Sequence, residues 1–373
     1  MLDDALLADP VALATADTGG VLRSAATAGA QVRSAAQAAA EAGVGELTGS
    51  TPRSLVLLRR PGASAWAAPL VAALVGPDCP IPVIIADVAP SWIGPLDVLV
   101  AHTADPTDAV LAESISRAVH RGCEVVLSAP AQGPVAAAGA GRARLLEPRV
   151  PVPPGLDLPR ALTAGLVTVA ALGVLPTRMT AADLDRLADE LDREAERDHP
   201  RHEPFVNPAK ALAMRLADHT PLLWGTDPVA TVLAGYAAET LANHAAVVAH
   251  HADVGQAATS DALQRAVEAA AGSHDVFHDP FDDLDGSSLT APPPRVMLLG
   301  TADEEPETAA LRLTGRSWPT ADQLHLIEEV GPGVRQGPAL RAAVLAARFD
   351  VAALYLGLTA SGAAHPLSEP AGS

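Results

Sequence analysis

Residues 55–75, LVLLRRPGASAWAAPLVAALV, hold one full period of the pattern on which the fold rests. Residues 55–58 are an apolar run of strand length. Residues 59–64, RRPGAS, are a turn with proline and glycine, and residues 64–75 are apolar and long enough for about three helical turns. Similar short apolar runs return at 83–86, 98–101 and 125–127, and a further helical pattern covers 108–121. Strands of this kind, apolar throughout and alternating with helices, are those of a parallel sheet covered on both faces.

The pattern repeats further along the chain. A strand at 221–224, a turn at 225–228 and a helix from 229 to about 250 open a second unit, with more strands at 296–299 and 324–327. A closing helix spans 337–355, and residues 255–271 read as one extra helix. The connector PRVPVPPG, residues 148–155, is too rich in proline for a central strand and marks the edge of the first unit. The reading is therefore α/β, a three-layer α/β/α arrangement in two domains, each with a mainly parallel sheet. The divisions are 1–50, helical, with a leading helix at 21–42; 51–176, the first domain; 177–215, bridging helices including an amphipathic one at 181–201; and 216–373, the second domain. At 373 residues the chain has enough material for two cores.

Charge narrows the function classes. With 44 acidic against 25 basic residues, a formal charge of -19, the chain is a poor partner for nucleic acid or an anionic membrane. The first residues, MLDDALLADP, are acidic where a signal peptide is basic, and no apolar run reaches the ~20 residues of a membrane span, so a cytoplasmic protein is expected. Cys79 and Cys123 stand far apart without a metal-binding spacing and read as two buried thiols. His274 and His278 are four apart among Asp275, Asp279, Asp282, Asp283 and Asp285, but Pro280 interrupts any helix, and an acidic surface loop is the better reading than a metal site.

Ligands of open parallel sheets bind beyond the carboxyl ends of the strands. Two loops have that place here: Arg59–Ser64, and AHTADPTD at residues 101–108. Ser64, Thr103 and Thr107 offer hydroxyls, Arg59 or Arg60 offers positive charge, and His102 flanks the second loop. Serine and threonine at helix starts are also ordinary N-caps, and a lone histidine at a strand end is often structural. In VPPGLDLPRALTAGLVTVAALGVL, residues 152–175, a single arginine, Arg160, sits between a proline-rich link and an uncharged helix.

That last stretch resembles the PRA segment of bifunctional phosphoglucose/phosphomannose isomerases, which contain two sugar-isomerase (SIS) domains. NPAKALAMRLADHTPLLWGTDPVATVLAGYAAETLANHAAVVAHHA, residues 207–252, is similar to the family's NxAKxLA segment with its strand, turn and helix. SHDVFHDPFDDLDG, residues 273–286, falls where the family has PELNHNE, and residues 337–358 resemble its terminal helix. The resemblance implies a homodimer that binds a sugar phosphate and interconverts aldose and ketose without a cofactor or metal. Ser64 falls on the serine of a GMGGS-type phosphate loop, Thr103 on the inner serine of an SxSGNTEE-type loop, and His278 on the ring-opening histidine. Arg160 would stabilise an enediolate or bind phosphate.

The departures are specific. Arg60, Pro61 and Ala63 replace small residues of the first loop, and Pro106 replaces a threonine of the second. Ala242 stands beside Asn243 where the family has its glutamate base, and the terminal lysine is missing. Glu239, about 4.5 Å further back along the helix, is the candidate substitute base; a surface glutamate is its bland reading. A non-catalytic sensor of sugar phosphates is the alternative to an isomerase.

Overall fold

The computed structural model describes residues 2–272, 292–326 and 337–360. Its first sheet comprises β1 (Ser54–Leu58), β2 (Val83–Ala86), β3 (Asp97–His102), β4 (Glu124–Ser128) and β5 (Arg144–Leu146). All pairings are parallel, in the order β2-β1-β3-β4-β5. The second sheet comprises β6 (Thr220–Gly225), β7 (His250–Asp253), β8 (Pro294–Leu299) and β9 (Asp322–Leu324), also parallel, in the order β7-β6-β8-β9.

Alternate residues of each central strand feed different cores, as the two-residue period of a strand requires. Val56, Leu58 and Leu99 face an outer core shared with the helix Ala109–His120, while Leu55, Leu57, Val98 and Val100 face inward. In the second sheet Leu222, Trp224 and Leu298 face an outer core with Trp318, and Leu223, Met297 and Leu299 face inward. Trp224 and Trp318 meet edge to face, ring centroids 5.3 Å apart. Both inward faces belong to one continuous apolar core, filled by the helices Ser64–Val75, Leu158–Leu172, Pro228–Ala245 and Pro338–Thr359. The architecture is thus the expected α/β one, with the helical layer between the two sheets held in common.

Glycine allows the closest approaches in that layer. A Cβ on Gly165 would lie 2.4 Å from Val71 Cγ2, and one on Gly235 would lie 2.3 Å from the Trp66 ring. Pro338–Thr359 is long and apolar enough to cross a membrane, but 89% of its most apolar stretch is buried inside the fold, as befits a core helix.

Several local expectations change. The helix expected over 21–42 is two, Val21–Ala25 and Ala28–Glu41, broken where the Thr27 hydroxyl bonds to Ser24 O at 2.6 Å. The helix expected to reach 250 ends at Ala245, because Ala246 turns into the left-handed region at φ 53°. After a short link, His250 opens β7, an edge strand with three exposed positions and hence no apolar run to announce it. Residues 255–271 are divided between two helices, Val254–Ala258 and Asp261–Gly272. The short edge strand β5 and the helix Pro306–Thr314 carry no strong pattern in sequence. Of the strand expected over 324–327, residue 327 lies outside the described residues, and among those described the last strand is Asp322–Leu324. Cys123 is buried, whereas Cys79 is only half-buried; both are free thiols.

Candidate functional site

In a parallel sheet a crevice opens where the chain leaves neighbouring strands in opposite directions. The strand orders place such a point between β1 and β3, and another between β6 and β8.

At the first point the loops after β1 and β3 carry the expected residues. Arg60 forks onto Asp108, Nε to Oδ2 at 2.8 Å and Nη2 to Oδ1 at 3.0 Å, tying one loop to the other. Asp108 also accepts from Leu111 N at 2.9 Å and so caps the helix Ala109–His120. Burial pushes the Asp108 carboxyl up, but the bonds from Arg60 and the helix N–H outweigh it and leave the group below its usual range. Arg59 pairs with Asp87 at 3.0 Å. Thr103 Oγ1 donates to Asp105 O at 3.2 Å and accepts from Asp105 N at 3.0 Å. Thr107 donates its N–H and hydroxyl to Asp105 Oδ1 at 2.8 and 2.6 Å and stays exposed.

Ser64 is buried, and its hydroxyl turns back to Leu58 O at 2.8 Å. No side chain caps the helix it begins. Ser64 and His102 share a cavity of about 20 Å3 with Val71, Ala161 and Gly165, room for one water.

His102 and Arg160 are brought together through a residue that sequence reasoning passed over. His102 Nε2 lies 2.8 Å from Asp157 Oδ2, and the same oxygen accepts from Arg160 Nη2 at 3.5 Å. On its other side His102 Nδ1 is 2.9 Å from Ser128 Oγ. All four residues are at most 8% exposed. Burial works against ionised Asp157, yet the hydrogen bond and charge of His102 and the charge of Arg160 hold the carboxyl below its usual range. Burial also lowers Arg160, with Asp157 offsetting part of the shift. Asp157 was visible as a carboxylate three residues before Arg160, and Ser128 as the residue ending a strand in register with His102.

Glu239, on the helix Pro228–Ala245, reaches across from the second half. Its carboxylate accepts from Trp66 Nε1 at 2.5 Å, in the first turn of the helix that Ser64 begins. The Trp66 ring fits over Gly235 and meets His251 edge-on, centroids 6.1 Å apart. Ala242 and Asn243, the next turn of the same helix, are exposed. His278 and the acidic segment around it lie outside the described residues. Among the described residues no three His, Cys, Asp or Glu side chains group as a metal site.

The second switch point is closed from within. Asp227 Oδ1 accepts from Ala230 N and Thr301 Oγ1, both at 2.8 Å. Its Oδ2 accepts from Thr301 N at 2.6 Å and Ala302 N at 3.1 Å. One carboxylate thus caps the helix and fills the position that an anion would take between the two loops. Arg341 braces the same loop through Thr301 O and Ala302 O, at 2.7 and 2.6 Å.

Several solved structures share this fold. The chain is similar to the C-terminal domain of glucosamine-fructose-6-phosphate aminotransferase from Francisella tularensis at 10% identity, covering 91% of this chain and 96% of that one, with a TM-score of 0.58. It is similar to a candidate phosphosugar isomerase from Clostridium difficile 630 at 8% identity, covering 93% and 96%, with a TM-score of 0.59. Tagatose-6-phosphate ketose/aldose isomerase from Escherichia coli matches at 10% identity over 96% and 95%, with a TM-score of 0.50. At these identities the likeness is one of fold. No family model matches the chain, and no curated protein does.

Proposed function

We propose that the protein binds a sugar phosphate at the first switch point, as a relative of the bifunctional phosphoglucose/phosphomannose isomerases. The observation that carries this reading is the meeting of Glu239 with Trp66: a carboxylate from the second half stands at the strand-end loop of the first. Aldose-ketose exchange needs a base for a carbon-bound proton, a group to open the ring and donors for the developing enediolate. Glu239 is the base in this reading, since Ala242 cannot serve. His278 opens the ring, and Arg160 stabilises negative charge. Arg60, Ser64, Thr103, Thr107, His102 and Asn243 bind the substrate, glucose 6-phosphate or mannose 6-phosphate. No cofactor or metal enters, and the reading includes a cytoplasmic homodimer that engages neither nucleic acid nor membrane. Its working units are 51–176 and 216–373, joined by 177–215 and preceded by the helical segment 1–50.

A second reading, a sensor without turnover, draws support from two details. Arg160 is held by Asp157, and the Ser64 hydroxyl is engaged by Leu58 O. The two readings separate in one experiment: a binding titration with both sugar phosphates, paired with NMR detection of deuterium uptake at C2 in deuterated water. Binding with uptake in the wild type, and binding without uptake in Glu239→Gln, supports the isomerase. Binding without uptake in either protein supports the sensor, and absence of binding removes both.

A further inference from the structure

An imidazole stands beside Glu239 on the seam between the halves. β6 and β7 pair with Leu223 opposite His251, and Leu223 faces the inward core. Paired neighbours in a parallel sheet point to the same side, so His251 points inward as well. His250, one residue earlier, points the other way and accepts from Trp224 Nε1 at 3.3 Å, in the outer layer. Among the described residues no strand lies beyond β7, and His251 is exposed.

On the inward side His251 meets Trp66 of the first half, edge-on, with ring centroids 6.1 Å apart. A Cβ built on Gly235 would lie 2.3 Å from the benzo edge of that indole, at Cζ3, and 3.3 Å from His251 Cε1. Glu239 follows Gly235 by four residues, hence on the same face of the helix and roughly 6 Å along its axis. It takes the other end of the indole, accepting from Nε1 at 2.5 Å. A carboxylate and an imidazole therefore flank one indole, in the first turn of the helix that Ser64 begins. Each group reaches a substrate atom at about 3 Å, so their spacing suits a single two-carbon unit held between them. The His251 ring enters no hydrogen bond among the described residues, which leaves both nitrogens to exchange a proton. His244, on the turn after Glu239, is half-buried beside Gly155.

Aldose-ketose exchange moves two protons, one between carbons and one between oxygens. Glu239 carries the first; the second needs its own group, within reach of O1 and O2 together. We propose that His251 is a further catalytic residue, the carrier of the proton from O2 to O1. The proposal rests on the isomerase reading, and its step is distinct from the ring opening given to His278. In the open-chain aldose Glu239 takes the C2 proton, the C2–H pair becomes the C1=C2 bond, and the C1=O pair moves to O1, which takes a proton from the His251 imidazolium. The neutral imidazole then takes the O2 hydroxyl proton as C2=O forms, and the C1=C2 pair takes the proton from Glu239 at C1. One proton has moved from C2 to C1 and one from O2 to O1, and both side chains end as they began.

The test uses the full-length wild type, His251→Gln and Glu239→Gln with glucose 6-phosphate or mannose 6-phosphate. Affinity is read by titration, deuterium at C2 and ketose formation by NMR, and folding by the thermal midpoint. His251→Gln should keep the midpoint and the affinity of the wild type and form ketose about 100-fold more slowly. Added imidazole should return part of that rate, which it does not do for a side chain with only a structural role. Wild-type turnover that His251→Gln leaves unchanged overturns the role of His251 alone, as does a loss of affinity with no loss of rate at saturation. Binding without turnover in the wild type overturns the isomerase reading and this role with it. Should His251→Gln fail to fold, the ring signals of His251 in the wild type replace it: they should shift as either sugar phosphate saturates the protein, and unmoved signals overturn the proposal.

Discussion

The two switch points differ in what ties their loops together. At β6 and β8 a single carboxylate, Asp227, takes four donors, three of them backbone N–H groups, and the crevice is complete in itself. At β1 and β3 the tie is an ion pair between two side chains, Arg60 and Asp108, which are 17% and 11% exposed. The helix beside it starts without a cap from any side chain. Parting one ion pair between two side chains costs little, whereas breaking four bonds to one carboxylate, three of them from backbone N–H groups, costs more. The two crevices thus differ in kind: one is tied by a pair of side chains, the other by a carboxylate of its own that takes backbone donors from both loops.

The contrast breaks most visibly at the sealed end. Asp227→Ala removes a helix cap and strands the Thr301 and Ala302 N–H groups, so a loss of about 3 kcal/mol is expected in denaturant unfolding. A loss no larger than that of an exposed aspartate would mean that the seal is not structural. Between the halves, Gly235→Ala drives a methyl into the Trp66 ring and should cost about 2 kcal/mol, with Glu239 displaced from its partner. At the open end, Arg60→Ala should cost only about 1 kcal/mol of stability. Its larger effect should be on sugar-phosphate affinity, with a loss of roughly tenfold or more for one charge-assisted contact. Smallest of all, Glu239→Gln keeps an acceptor for Trp66 Nε1 and should leave the thermal midpoint nearly unchanged, within the range of surface substitutions.

The central strands and the helices behind them were legible because burial on both faces writes an apolar run into the chain, as at β1, β3 and β4. Edge strands leave no such mark: β7 reads HHAD and is mostly exposed. The strand-end loops were legible too, since strand, turn and helix succeed one another there. Their side-chain partners were not. Asp108 lies 48 residues from Arg60, Asp157 lies 55 from His102, and Ser128 lies 26 from it. Local periodicity has no term for contacts of that separation. It therefore offered Arg160 as a charge awaiting a ligand, whereas the fold gives it a neighbouring carboxylate. Ala242 is the converse case: the resemblance pointed to an absent base, helix spacing offered Glu239 in its place, and its partner Trp66, 173 residues away, was not legible.

The proposed function requires one crevice to be open to a sugar phosphate and the other closed. Threonine methyl NMR during titration with glucose 6-phosphate or mannose 6-phosphate addresses this directly, because Thr103 and Thr107 mark the first switch point and Thr226 and Thr301 mark the second. Saturable shifts at Thr103 and Thr107, with Thr226 and Thr301 unmoved, are the predicted result. Shifts confined to Thr226 and Thr301, or no shift at either pair, would contradict it.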